Sequence, residues 1–272
     1  MTDPTSIDLR QARKAQFRAL TSERLIVARV RAGRKIARHD GRRLDLRPDR
    51  LGVLQAGVPY TVENHPPERG PYIASALIAS RETLARLQVA ELPFGDPFAT
   101  TSDDRALAAF ERSATVISDP FMPARLRENA VREVLLWLAE AGVGFQPRPV
   151  SFTDRLRSLV AAEPGLPWSA AMAGRSLAVS EATLRRRLAE AGTTFHDVLA
   201  DVRMTCALGL LQTTTFPVNR IALEVGYASP SRFALRFRAR FGLRPSEIRS
   251  APDERIGTQI ERAGTHAGMR GA

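Results

Sequence analysis

The last hundred residues of this chain carry one spacing pattern twice, with the second copy forty-nine residues after the first. Each copy has an alanine, a serine seven positions later, and large apolar residues eleven and fifteen positions later: Ala173, Ser180, Leu184 and Leu188, then Ala222, Ser229, Phe233 and Phe237. This spacing predicts a helix, a tight turn and a second helix that begins at the serine. Two such helix-turn-helix units on one chain can each enter a stretch of DNA groove.

The positive charge of the chain is densest in the segment that holds this repeat. The chain of 272 residues has a formal net charge of +11, and residues 151–250 carry fourteen arginines, no lysine and eight acidic residues. A basic balance favours a polyanionic partner, but it does not by itself distinguish DNA from RNA or anionic lipid. The choice of double-stranded DNA therefore depends on the repeat.

Cysteine content and hydropathy limit the class of protein further. Cys206 is the single cysteine, which excludes an intramolecular disulfide framework. The first residues are polar and lack the apolar core of a signal peptide. No run of about eighteen uncharged apolar residues is present, so no membrane span is expected. We therefore expect a cytoplasmic protein of one or two domains without a membrane partner.

Short apolar segments alternate with turn signals in residues 24–79. The segments are residues 25–30, 44–46, 51–54, 58–62 and 72–79, and the turns between them contain Gly33, Gly41, Gly57 and Pro66-Pro67. Five or six short strands joined by tight turns predict a small antiparallel barrel or sandwich. Residues 1–22 are expected to be a loosely ordered lead-in, with a short helix around residues 12–20.

Beyond residue 80 the apolar period changes from two residues to three or four. This period predicts helices at residues 81–89, 103–117 and 123–141. Residues 1–146 would then form a sensor or dimerisation domain. Residues 145–150 contain two prolines and no period, as expected of a linker.

Every predicted element after this linker is helical. Seven helices are expected, at residues 152–162, 169–176, 181–191, 194–211, 218–225, 230–241 and 245–249. The predicted fold class is α+β, with an N-terminal small antiparallel β-barrel and helices followed by an all-α seven-helix domain with two helix-turn-helix units at residues 151–250. Residues 251–272 lack apolar periodicity and are expected to be a disordered tail.

The second helix of the first unit has an apolar side, where two leucines lie one turn apart, and an opposite side suited to DNA. Small residues near the start of this helix permit close approach to base edges, and arginine can donate bidentately to guanine or phosphate. The predicted DNA-binding residues of this unit are Ser180, Ala182, Thr183, Arg185 and Arg186.

The corresponding helix of the second unit has three phenylalanines on its apolar side. The predicted DNA-binding residues at its start and on its opposite side are Ser229, Ser231, Arg232, Leu235, Arg236 and Arg238. Leu235 would either contact a thymine methyl group or pack against the protein, and the sequence leaves both open. Arg232 and Arg236 are the strongest candidates.

A long predicted helix at residues 194–211 joins the two units. About eighteen residues at about 1.5 Å each give a length of about 27 Å. One turn of B-DNA is about 34 Å long. A stiff helix of this length, with the widths of the reading helices added, would hold both in successive major grooves.

A longer motif surrounds the second unit. Residues 221–233 have the sequence Ile-Ala-Leu-Glu-Val-Gly-Tyr-Ala-Ser-Pro-Ser-Arg-Phe, and further motif residues follow at Phe237, Phe241-Gly242 and Arg244-Pro245-Ser246. This run resembles the signature of the AraC/XylS transcription regulators. Matching positions in the connector helix and in the first unit are Arg203-Met204, Ala207, Leu210-Leu211, Ser180, Leu184 and Gly192. The resemblance covers about residues 151–250.

The resemblance implies a seven-helix DNA-binding domain that contacts or recruits RNA polymerase, usually as an activator. By position, the family's base-contacting residues fall on Ala182, Arg185, Arg186, Ser231, Ala234 and Leu235. Family members often have arginine where this chain has Leu235, a departure that bears on how the second unit reads bases.

The strand-rich first half is similar in architecture to the cupin-like sensor domains of the same family. The resemblance implies that such a domain binds a small effector or dimerises through the helices after its barrel. The apolar stripe of residues 123–141 would then be a homodimer face, or it would simply cover the barrel. The sequence leaves both open.

An enzyme and a protein-interaction module are the competing functional classes. A metal-dependent cupin-type enzyme fused to a DNA-binding tail needs two or three histidines and a glutamate around one metal ion. Only His39 and His65 lie in the strand region, and no His-x-His pair is present. Cys206 lies on the apolar side of the connector helix, where an inert thiol is expected. We therefore expect no enzymatic activity, no metal and no cofactor, and the salt dependence of binding would separate a DNA-binding protein from a protein-interaction module.

Overall fold

Strands occupy most of the first eighty residues. The structure is a computed structural model and describes residues 3–93, 95–145 and 149–249. The strands are β1 Thr5–Gln11, β2 Ala15–Leu20, β3 Leu25–Ala32, β4 Arg34–His39, β5 Arg42–Leu46, β6 Leu51–Leu54, β7 Tyr60–His65, β8 Tyr72–Ala79 and β9 Thr100–Thr101.

These strands form two antiparallel sheets that pack face to face. One sheet has the order β1-β8-β3-β6-β9 and the other has the order β2-β7-β4-β5. The predicted β-barrel is therefore not closed, and the two sheets form a sandwich. β1 and β2 are edge strands of different sheets, and at the corner between them the N–H of Ala12 donates to the carbonyl of Ile248 in the C-terminal domain.

The predictions for residues 1–22 were wrong, because this segment forms β1 and β2 and contains no helix at residues 12–20. In β2 the side chains of Ala15 and Phe17 are buried, whereas those of Gln16 and Arg18 are exposed. This period of two is that of a strand, but it extends over too few residues to stand out in the sequence. These strands are instead stabilised by pairing of β1 with β8 and of β2 with β7.

The helices that follow the strands cover the five-stranded sheet. They are α1 Arg81–Arg86, α2 Asp104–Ser118 and α3 Ala124–Glu140, with Pro123 and Ala141 as the caps of α3. Val134 and Leu138 on the predicted stripe of α3 are fully buried against this sheet. Most of that stripe is therefore core of this chain, and only its first member, Leu126, is half exposed.

The C-terminal domain is helical throughout its described residues, with bounds close to those predicted. It contains α4 Phe152–Ala162, α5 Ala170–Ser176, α6 Glu181–Glu190, α7 Phe195–Thr213, α8 Val218–Glu224 and α9 Pro230–Phe241, followed by a 3-10 helix at Pro245–Ile248. The seventh predicted helix is thus a 3-10 helix. Residues 146–148 of the predicted linker and the predicted tail at residues 251–272 lie outside the described residues.

The N-terminal and C-terminal domains share an apolar core. Phe17 of β2 is buried in one cluster with Phe237 and Phe241 of α9, and the rings of Phe17 and Phe241 meet edge to face at 5.5 Å between centroids. The side-chain amide of Gln212 in α7 donates to Gln11 of β1 at 2.8 Å. The contact between the domains is therefore both apolar and directional.

Gln11 is also the end of a buried polar chain inside the sandwich. The Nζ of Lys35 donates to Asn64 Oδ1 at 2.7 Å, and Asn64 Nδ2 donates to Gln11 Oε1 at 2.9 Å. Lys35 is buried, and this burial lowers the pKa of its amine to about 8 because the charged form loses hydration. The sandwich thus buries a lysine that is linked by hydrogen bonds to the C-terminal domain.

We predict that the pKa of Lys35 makes stability depend on pH. The folded pKa of about 8 lies below the ordinary value of 10.5, so the unfolded chain binds more protons between these values. The free energy of unfolding should therefore rise by about 3 kcal/mol from pH 8 to pH 10.5. Urea unfolding of Lys35→Met at several pH values should lack this rise.

The matched control for this prediction is Lys14→Met, because Lys14 is exposed and is the one other lysine of the chain. This variant should keep the rise of the wild-type protein. Parallel pH curves for the wild-type protein and Lys35→Met would contradict the prediction.

Candidate DNA-binding surface

The first helix-turn-helix unit consists of α5 and α6. Ser180 caps α6, because its Oγ accepts a hydrogen bond from the N–H of Thr183 at 3.1 Å. Serine is favoured at this position because it satisfies a backbone donor that has no partner within the helix. Leu184 and Leu188 are fully buried and fix which side of α6 faces the core.

The second unit consists of α8 and α9 and repeats this construction. Ser229 Oγ accepts from the N–H of Arg232 at 3.3 Å, and Pro230 occupies the first helical position. Phe233 and Phe237 are fully buried. The helix ends at Gly242, whose φ of +75° is favourable for glycine.

The turns of the two units differ from the predicted repeat by one residue. The N–H of Val179 donates to the carbonyl of Gly174 at 2.9 Å, and the N–H of Tyr227 donates to the carbonyl of Ala222 at 2.8 Å. The counterpart of Ala222 at the turn is therefore Gly174 and not Ala173. The repeat is aligned on the two serines, and this alignment does not reveal that the second turn is one residue longer than the first.

Each turn contains one residue in the left-handed backbone conformation, Ala178 with φ +55° and Gly226 with φ +81°. Glycine also leaves room for a neighbouring side chain in the second unit. A Cβ atom at Gly226 would lie 2.4 Å from the guanidinium of Arg203. The second turn is therefore shaped around an arginine of the connector helix α7.

Arg203 joins the two units from the inside. Its Nε donates to the carbonyl of Pro164 at 3.0 Å and its Nη2 donates to that of Leu166 at 2.7 Å, while its guanidinium lies 5.9 Å from the ring centre of Tyr227. Burial lowers the pKa of Arg203. The sequence marked this residue only as a motif position, because its partners lie far along the chain.

The predicted DNA-binding residues lie on the outer faces of α6 and α9. Exposed side chains are those of Ser180, Ala182, Arg185, Arg186, Ser231, Arg232, Leu235, Arg236 and Arg238, and those of Thr183, Ser229 and Ala234 are partly exposed. Leu235 is 70% exposed, so it does not pack against the protein. The N-terminal domain leaves both faces accessible to a ligand.

Two arginines of the first unit, Arg185 and Arg186, are paired with acids on their own helix. Arg185 Nη2 lies 2.6 Å from Glu181 Oε1, and Arg186 Nη1 lies 2.6 Å from Glu190 Oε1. Both pairs have the i,i+4 spacing and are largely exposed, so each contributes only about 0.3–0.5 kcal/mol. Such pairs hold the arginines in place and can be exchanged for a stronger acceptor at small cost.

Three exposed arginines of α9 have no such pairing. Within the described part of the chain, Arg232, Arg236 and Arg238 have no carboxylate at ion-pair distance. A surface cleft of about 770 Å³ lies beside them, lined by Gly226, Tyr227, Ala228, Ser229, Arg232, Leu235, Arg236 and Ala239. This face is therefore positively charged and concave.

The remaining candidate residues do not come together. His39 Nδ1 lies 3.1 Å from the carbonyl of Pro59, whereas His65 Nε2 lies 3.0 Å from Glu63 Oε2. Among the described residues, no three His, Cys, Asp or Glu side chains are close enough to hold a metal ion. Burial raises the pKa of the Cys206 thiol to about 11, which keeps it protonated. No helix within the described ranges is long and apolar enough to cross a membrane.

Solved structures of similar fold cover nearly the whole chain. The apo form of a ToxT variant from Vibrio cholerae strain SCE256 aligns with a TM-score of 0.62 and 13% identity, over 89% of this chain and 94% of that chain. Wild-type ToxT from the same strain, with an unsaturated fatty acid bound, aligns with a TM-score of 0.59 and 13% identity, over 93% of this chain and 100% of that chain. At this identity the likeness shows a common fold of a β-sheet domain followed by a helical domain.

Sequence relatives match about a third of this chain. A family described as a helix-turn-helix domain matches residues 174–251. The ornithine utilization regulator of Pseudomonas aeruginosa is 43% identical over 98 residues, or 36% of this chain and 29% of that protein. The regulator YdeO of Escherichia coli K12 is 35% identical over 99 residues, or 36% of this chain and 39% of that protein. The virulence regulon activator VirF of Shigella flexneri is 31% identical over 99 residues, or 36% of this chain and 38% of that protein.

This chain spans less than two fifths of the length of these relatives. All three are named as regulators. This similarity agrees with the resemblance of residues 151–250 to the AraC/XylS transcription regulators.

Proposed function

We propose that this protein is a sequence-specific DNA-binding transcription regulator without enzymatic activity. The observation that carries the proposal is the pair of serine-capped helices, α6 and α9, whose apolar sides are buried and whose arginine-bearing sides are exposed. Two such helices on one connector suit two stretches of major groove. A protein-interaction module with diffuse positive charge would not need two such helices.

The two units are proposed to bind DNA in different ways. In the first unit, Arg185 and Arg186 exchange their carboxylate partners for guanine edges, and Ala182 allows close approach of the helix. In the second unit, Arg236 and Arg238 contact phosphates, because no acid competes for them. Leu235 is exposed and would contact a thymine methyl group.

Activation through RNA polymerase is proposed because the resemblance to the AraC/XylS regulators implies it, and a cytoplasmic location is proposed because the target would be promoter DNA. A homodimer through residues 123–141 is also proposed. It would use Leu126 and Leu136, which are 51% and 38% exposed, because Val134 and Leu138 are already buried within the chain.

A small effector is proposed to bind where the two domains meet and not inside the cupin-like sandwich. The interior of the sandwich is filled by side chains such as Val30, Leu44 and Tyr60. The groove at the β1–β2 corner has a volume of about 1760 Å³, and its charged lining consists of Asp8, Arg10, Arg13, Lys14, Glu68, Arg69 and Arg249. This lining is predominantly basic, which suits an anionic effector such as the fatty acid bound by the ToxT protein of similar fold.

Replacing Arg186 should reduce sequence discrimination. Arg186→Ala is expected to weaken binding to the preferred duplex by about 1–3 kcal/mol and to relax the preference at one base pair. Gel-shift titrations on single-base-pair variants of that duplex measure both effects. Arg112→Ala, which removes a charge from an exposed pair with Glu133 on α3, should bind like the wild-type protein. Unchanged affinity and base preference in Arg186→Ala would reject the assigned role.

Replacing Arg238 should act on affinity alone. A phosphate contact carries no sequence information, so Arg238→Ala should weaken all duplexes alike. The slope of log affinity against log salt should fall by about one. Fluorescence anisotropy between 50 and 300 mM salt, about the range over which such slopes are measured, provides the test. A slope equal to that of the wild-type protein would show that Arg238 touches no phosphate.

The effector proposal predicts a charge requirement in the ligand. Oleate should raise the melting temperature of the wild-type protein by mass action, whereas oleyl alcohol should raise it much less. The double variant Arg10→Gln, Lys14→Gln should lose most of the shift, because both side chains are exposed at the groove. Equal shifts for acid and alcohol, or no loss in the variant, would contradict an anionic site.

A further inference from the structure

Strand β2 contains an irregularity at the surface that faces α9. Its register with β7 shifts between Phe17 and Leu20, so Arg18 and Ala19 are out of the ladder. Ala19 has φ +48°, a conformation that residues other than glycine rarely adopt. Such conformations persist where the surrounding structure enforces them and are concentrated at functional positions.

The carbonyl groups released by this bulge accept hydrogen bonds from Arg240 at the end of α9. Nη1 of Arg240 donates to the carbonyl of Arg18 at 2.6 Å, and Nη2 donates to that of Ala19 at 3.2 Å. Nε of the same guanidinium donates to Asp201 Oδ1 at 2.9 Å. All three guanidinium nitrogens of Arg240 therefore have acceptors within the protein.

Asp201 lies on the connector helix α7 and uses both carboxylate oxygens. Oδ1 is bound by Arg240 of α9, whereas Oδ2 lies 2.8 Å from Nη2 of Arg157 on α4, the helix that packs beside the first unit. The side chains of Arg157 and Asp201 are 17% and 18% exposed, so solvent screens this pairing only in part. One carboxylate thus connects the supports of both reading helices.

We propose that Asp201 and Arg240 are positioning residues that fix the angle between the two reading helices. Through the β2 bulge they couple this angle to the N-terminal domain. The proposal rests on the proposed function, because the angle matters only if both helices read one duplex. These two residues would then determine the preferred spacing of the two binding boxes without contacting DNA.

Apolar packing cannot supply this control alone. Phe233, Phe237 and Phe241 hold α9 on its core, but apolar contacts are non-directional and permit small rotations of the helix. An arginine fork has a fixed planar geometry and is more selective about direction. Arg240 is also separate from the reading surface, because its nitrogens are engaged with Asp201 and the bulge.

The test uses the full chain and duplexes with two binding boxes whose separation varies in single base-pair steps. The wild-type protein is expected to prefer one separation by about tenfold or more over those two base pairs away. Asp201→Asn and Arg240→Lys should each reduce this preference at least about fivefold, since a charge-assisted hydrogen bond is lost. Affinity for a duplex with only the first box should stay within about twofold of the wild-type value.

Two controls separate positioning from charge. Arg240→Lys keeps the positive charge but cannot reach three acceptors at once, so its effect cannot come from weaker phosphate attraction. Glu224→Gln removes one negative charge, as Asp201→Asn does, but from an exposed pair with Arg220 on α8. This variant should keep the separation profile of the wild-type protein.

The proposal is overturned if Asp201→Asn and Arg240→Lys keep the wild-type separation profile, or if single-box and two-box affinities fall in parallel. Circular dichroism checks folding, and Arg157→Lys replaces Asp201→Asn if that variant unfolds. A wild-type protein that prefers no duplex would instead reject the proposed function. Faster hydrogen exchange at residues 15–20 in Arg240→Lys is expected from the lost contact, independently of DNA, and unchanged exchange would count against the coupling.

Discussion

The helical half of this molecule depends on burial of one helix, α7, in two separate apolar cores. Val198 and Val202 near its start pack with the first helix-turn-helix unit, and Leu208 and Leu211 near its end pack with the second. Each such side chain contributes about 1.5–3 kcal/mol when removed from water. The separation of α6 and α9 is therefore set by the length of α7 and by the side chains that attach each unit to it.

Charge acts on this apolar frame at two levels. Inside, Arg203 and Asp201 are each bound to groups from distant parts of the chain, and these directional bonds orient the helices they join. Outside, Arg185 and Arg186 of α6 are paired with acids, whereas Arg236 and Arg238 of α9 have no acid at ion-pair distance among the described residues. In the binding mode proposed above, phosphate would therefore bind to the α9 face without displacing an acid, whereas the α6 arginines would first leave their carboxylate partners.

Sequence patterns predicted the helical domain better than the sheet domain, for physical reasons. Helices α4 to α7 and α9 each begin at a serine or threonine cap, and their apolar residues recur at helical spacing within the segment, so local signals suffice. By contrast, β1 and β2 are stabilised by strands more than forty residues away and have few apolar residues of their own. Whether the sheets close into a barrel depends on pairing between their edge strands and not on the pattern within any one strand. The exposed reading residues followed from helical period, but the roles of Arg203, Asp201 and Arg240 depend on tertiary contacts that no local pattern contains.

The most direct test of two reading helices at a fixed separation is selection of bound duplexes from a random pool by the full chain. Two reading helices at a fixed separation should enrich a two-part motif whose parts lie about one helical turn, or about ten base pairs, apart. Enrichment of a single short motif would show that the second unit does not read bases. No enrichment over competitor DNA would contradict the account as a whole.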